Sequence, residues 1–146
     1  MLARPARPHA MPAHRSVLAP PVLLVLLIGC AGFAAIWVLA AAALGRPCSW
    51  LAAVAALDAA LLLRMGHARP GWARALAGVL ATAVMIAAAQ WGLIAAQVGS
   101  MFGLQPWESA LKLGASLAWA IAGVSLDAVD LAWFGAALVV AAVASR

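Results

Sequence analysis

Charge is what this chain has least of. Only 9% of its 146 residues are charged and just four are Asp or Glu, whereas 68% are hydrophobic and the mean hydropathy is +1.08. A water-soluble fold of this length cannot hide that much apolar surface, which excludes an ordinary soluble domain. At about 20 apolar residues per bilayer crossing, the chain has room for four or five spans with short loops and no separate soluble domain. Cysteine is nearly as scarce. Cys30 and Cys48 are the only two, and on one continuous helix their 18-residue separation amounts to roughly 27 Å, beyond disulfide reach, so free thiols are expected. Catalytic signatures are missing too: no GxSxG, Walker A, HExxH, CxxC or GxGxxG pattern occurs, and nothing pairs a nucleophile with a base. The sequence therefore points away from an enzyme and implies no cofactor and no metal.

The charge that is present is basic. The formal net charge is +5 and the pI about 11.2, with eight arginines to one lysine. Arginines beside hydrophobic spans follow the positive-inside tendency, and this explains them better than nucleic-acid binding does. The arginine excess and the abundance of alanine are read as bacterial origin.

Residues 1–16 hold Arg4, Arg7, Arg15 and three prolines and are expected to form a basic, disordered cytoplasmic arm; His9 and His14 within it are read as solvated rather than metal-bound. Residues 17–146 form a single helical membrane domain. Its first span, 22–44, carries no charge and is entered through Pro20-Pro21, where proline suits a first helical turn. Leu27-Ile28-Gly29-Cys30 has the look of a lipoprotein cleavage site, but the hydrophobic run continues past Cys30, which argues for an uncleaved span. Gly45-Arg46-Pro47 breaks the helix, and a second, short span is expected at 48–63. The basic turn with Arg64, Arg69 and Arg74 follows, then a third span at 75–98. Residues 107–123 predict a short interfacial or re-entrant helix, because Glu108, Lys112, Ser116 and Trp119 recur at helical spacing and the uncharged part is short. Asp127 reads as the N-cap of a last span, 128–144, with Asp130 in its first turn. Trp50, Trp72, Trp107 and Trp133 suit the interfaces, while Trp37 and Trp91 lie deeper and read as packing.

With the N-terminus inside, Arg4, Arg7, Arg15, Arg64, Arg69, Arg74 and Arg146 are cytoplasmic and only Arg46 and Lys112 are outside, seven against two. The expected fold is thus an all-α integral membrane protein of four antiparallel transmembrane helices plus the interfacial helix, in a bacterial inner membrane, with both termini cytoplasmic. A fifth crossing would move Arg146 outside.

Three buried polar positions stand out. Asp58 lies well inside a span, where a carboxylate costs about 2.5–3.5 kcal/mol and normally faces a partner, a cavity or the bundle interior. Gln90 and Gln97, seven apart, share a face of the third span and either line a polar path or bond between helices. Glu108, Asp127 and Asp130 are explained by capping and ion pairing rather than by a cation site. The leading functional expectation is a non-catalytic packing or accessory subunit, associating in the lipid bilayer with copies of itself or a larger membrane-protein partner. The alternative is a small oligomeric transporter or channel using Asp58.

Overall fold

In the computed structural model, which describes residues 19–146, the chain is helical throughout its ordered elements. The expectations for the 1–16 arm, including Arg4, Arg7, Arg15, His9 and His14, lie outside the described residues. Helix α1 spans Pro20–Leu44 and ends at Gly45, whose φ of +65° admits glycine easily and lets its N–H bond the Ala41 carbonyl. Cys30 sits inside this unbroken helix and, like Cys48, is a buried free thiol. The turn that follows is tied to α1 from within. The fully buried Trp37 donates its indole N–H to the Pro47 carbonyl at 2.9 Å and meets Phe33 edge to face.

Helix α2, Leu51–Met65, starts three residues later than expected because Cys48, in the left-handed region at φ +49°, turns the chain before the helix begins. Its inner face is almost all small: Ala52, Ala55, Ala56 and Ala59 are fully buried together with Leu63. Helix α3, Trp72–Phe102, extends the expected third span at both ends to 31 residues, about 46 Å at 1.5 Å per residue. The extra length at its C-terminal end has a partner. After Gly103 the chain turns back, Leu104 N–H bonds the Gly99 carbonyl at 2.9 Å, and helix α4, Pro106–Lys112, packs on α3.

The single helix expected over 107–123 is instead two. Leu113 and Gly114 are extended, α4 stops, and helix α5 runs from Ala115 to Ser125. The physical reason is Leu113, which is buried with Ile94, Ala95 and Ala118 in a small second core; a continuous helix would not place it there. The break interrupts the polar face inferred from Glu108 to Trp119. The Glu108 carboxylate accepts the Gln105 backbone N–H at 3.3 Å, acting as a cap where an ion pair with Lys112 was expected. Helix α6, Ala128–Ala144, matches the expected bounds, and Asp127 caps it by accepting Ala128 N–H at 2.9 Å.

Helices α1, α2, α6 and α3 pack in a ring, with α2 also touching α3 across it; α4 and α5 pack on α3. Close approach depends on small residues. The Leu62 side chain occupies the space a Cβ on Gly29 would need, and Ser145 does the same at Gly78, whereas Gly32 faces open space. The contacts give the directions: Val22 of α1 lies by Gly66 at the end of α2, and Gly78 near the start of α3 lies by Ser145 at the end of α6. The last turn of α6 therefore meets the basic turn. Arg64 donates to the Ala144 carbonyl at 3.3 Å, Arg74 donates to the Ser145 carbonyl at 2.6 Å and to that of Arg146, and Arg146 lies 4.6 Å over the Trp72 ring. Cations at a helix C-terminus satisfy carbonyls that have no intrahelical donor and complement the dipole.

The interior is mostly alanine, while the outer surface carries large apolar side chains, among them Leu27, Ile28, Leu39, Leu80 and Val124. Small residues inside and large ones outside are how helices pack in lipid, where close backbone approach replaces hydrophobic burial as the driving force. Helices α1 and α3 are each long and apolar enough to cross a membrane. The pair α5 and α6 meets the same criterion only when taken together across a 107° bend. At 15 and 17 residues, α2 and α6 are shorter than a full crossing, so two spans, or three with the bent pair, stand on length and composition.

Candidate functional site

The turn after α1, the C-terminal half of α3 and the α5–α6 junction enclose a groove of about 520 Å³. Helix α3 supplies one wall because Gln90, Gln97 and Ser100 fall at spacings of seven and three, and so share a stripe. Val38 and Ala41 of α1 and Leu93 and Ile94 of α3 make the sides apolar. Arg46 from the α1–α2 turn and Asp130 from the first turn of α6 stand at the mouth.

The polar atoms differ in how far they are already engaged. Both Asp130 oxygens are engaged: one accepts the Ser49 hydroxyl at 2.5 Å, and the other accepts the Asp127 backbone N–H at 3.1 Å. The Ser100 hydroxyl donates to the Gln97 carbonyl at 2.7 Å. By contrast, the Gln90 amide nitrogen is buried with no hydrogen-bond partner. Burying an amide N–H without an acceptor costs about 1–3 kcal/mol. The Arg46 guanidinium, exposed at the mouth, bonds no carboxylate or carbonyl among the described residues.

Gln90 and Gln97, expected to share a face, do line one groove; Gln97 is exposed and Gln90 half-buried. Asp58 is elsewhere. It lies at the middle of α2, half-buried rather than enclosed, within electrostatic range of Cys30 on α1. Val54 and Leu61, one turn to either side, and Leu57, immediately before it, are exposed. Asp58 lines none of the three clefts described in the molecule. Among the described residues no three His, Cys, Asp or Glu side chains gather closely enough to hold a metal ion, so Glu108, Asp127 and Asp130 do not converge. Arg64, Arg69 and Arg74 stay at the opposite end of the bundle from the groove.

Reading the sequence missed Arg46, Ser100 and Ser125 as members of a site. The continuation of the Gln90–Gln97 spacing to Ser100 could have disclosed one of them; the approach of Arg46 depends on the fold. The groove is bordered by polar side chains, Arg46, Gln90, Gln97, Ser100, Ser125 and Asp130, between apolar walls. No family model matches this chain, and neither a curated protein nor a solved structure is significantly similar to it.

Proposed function

We propose that this protein is a non-catalytic subunit of a membrane assembly, seated in a bacterial inner membrane with the basic turn and the end of α6 on the cytoplasmic side, and crossing the bilayer four times. The gathering of Arg64, Arg69, Arg74 and Arg146 at one end supports that orientation. Two short helices, α2 and α6, fit a bilayer that thins locally or a complex that shields their ends.

The observation that carries the reading is Asp58. A carboxylate at the middle of an apolar helix, partly exposed beside the exposed Leu57 and Leu61, is costly against lipid, by about 2.5–3.5 kcal/mol on insertion scales. A neighbouring helix that brings a hydrogen-bond donor to the same depth offsets part of that cost; interhelical hydrogen bonds contribute about 0.6–1.7 kcal/mol each. The basic side chains of the described chain all sit in turns or near helix ends, so a second copy brings no cation to that depth, and a different partner fits better. An oligomeric transporter with Asp58 and Gln90 on one path has less support, because the two residues lie on different faces of the bundle.

Purification of the tagged full chain from its native membrane in mild detergent, followed by mass spectrometry, tests the proposal. A stoichiometric membrane partner is expected with the wild type and is lost with Asp58→Leu, while the variant still elutes as a single species. Recovery of the chain alone, or equal partner recovery with Asp58→Leu, would contradict it.

A further inference from the structure

We infer that the outer side of the α1–α2 seam seats a transmembrane helix of a partner protein that carries a lysine or arginine at its middle, paired with Asp58. This rests on the reading of the chain as a subunit, and adds which two helices the partner meets and what side chain it brings.

Two contacts set the register of the seam. Leu62 lies against Gly29 and Val22 against Gly66, so the antiparallel α1 and α2 bring Gly32 level with Asp58, each one helical turn further from the basic end than the Gly29–Leu62 contact. Helical spacing also gives the direction. Gly32 is rotated about 60° from Gly29 and Asp58 about 40° from Leu62. Both rotations lead away from the buried Cys30, Ala34, Ala55 and Ala59, so the two positions open on the same, outer side of the seam. Asp58 is partly exposed there and has neither a hydrogen-bond donor nor a cation against it among the described residues. Above and below it the seam is apolar, with Ile36, Val54 and Met65 exposed. Gly32 is the gap between them, itself exposed and with nothing within 4 Å of the position its Cβ would take.

The gap and the carboxylate together select the occupant. An acyl chain fills the gap and leaves the charge uncompensated. A helix with a neutral amide at that depth donates a hydrogen bond without cancelling the charge. A lysine or arginine does both: its aliphatic stem lies in the gap and its cationic head reaches the carboxylate. With no side chain on Gly32, the two helix backbones also approach closely. A second copy of this chain does not fit, because the basic residues of the described chain stand in turns or near helix ends.

The probe is a synthetic leucine-alanine transmembrane helix of about 23 residues with one central lysine, added to the labelled full chain in phosphatidylcholine vesicles and read by energy transfer. Matched peptides carry glutamine at the centre, or the lysine at one end. The central-lysine peptide is expected to associate about tenfold more tightly than either, an increment in the range of polar pairing between helices, and Asp58→Asn removes that advantage. Gly32→Leu, which meets no neighbour within the fold, weakens the association several-fold, whereas Gly123→Leu on α5, equally open, leaves it unchanged. Equal association of the lysine and glutamine peptides, or an advantage that survives Asp58→Asn, would overturn the charge pairing. No effect of Gly32→Leu would overturn the seam. The subunit reading is separable: a partner recovered from the native membrane that is lost with Asp58→Leu but tolerates both Asp58→Asn and Gly32→Leu leaves that reading intact and contradicts this inference.

Discussion

Gly78 shows at the scale of one residue how tightly this bundle is drawn together. A Cβ there would run into Ser145, with the Ala141 carbonyl 3.4 Å away, whereas Gly32 on α1 has nothing within 4 Å. Overpacking a close helix contact costs about 1–3 kcal/mol. Gly78→Leu is therefore expected to lower the detergent melting temperature by several degrees and Gly32→Leu to leave it unchanged; equal effects would mean that α3 and α6 do not approach as described. Neither glycine's role is readable from sequence. Gly29 and Gly32 look equivalent in a helix rich in small residues, yet only Gly29 meets a neighbour, because which face turns inward is decided by packing. Asp58 and Gln90 were both legible as unusual polar residues inside apolar helices. That Gln90 borders a groove and that Asp58 stays partly exposed beside the buried Ala55 and Ala59 was not, since each depends on which helices lie next to it.

At the scale of helices, ends written in local chemistry were legible and ends set by tertiary contact were not. The Gly45 stop of α1 and the Asp127 cap of α6 follow from glycine's left-handed conformation and aspartate's accepting side chain. The break at Leu113–Gly114 has no proline to announce it and follows from the burial of Leu113 against Ile94 and Ala95. The return of α6 to the basic turn bears on the number of crossings. With Cys30→Ala and Cys48→Asn as background, the second chosen because Asn tolerates the positive φ at that position, single cysteines at Arg69 and Arg146 are expected to react with an impermeant maleimide from the same side of the membrane. A cysteine at Gln105 is expected to react from the opposite side. Reaction of the Arg146 site together with the Gln105 site would require an odd number of crossings.

Taken whole, the described residues have an alanine interior, a shell of large apolar side chains, a groove with polar residues at the end away from the basic turn, and a partly exposed carboxylate at the middle of α2. That this chain forms helices apolar enough to cross a membrane follows from composition alone. The partner does not, because a partner is recognised by a surface, and the sequence did not reveal which side of α2 would be left open. The measurement that bears most directly on the proposed role is site-specific photocrosslinking in the native membrane, with the reactive group at Leu61, one turn from Asp58, and in parallel at Val84 on the exposed face of α3. The expected result is one discrete protein adduct from Leu61 that disappears with Asp58→Leu, and no protein adduct from Val84. Lipid adducts alone at Leu61, or the same protein adducts from both positions, would contradict the assignment of the Asp58 face as the contact with a partner.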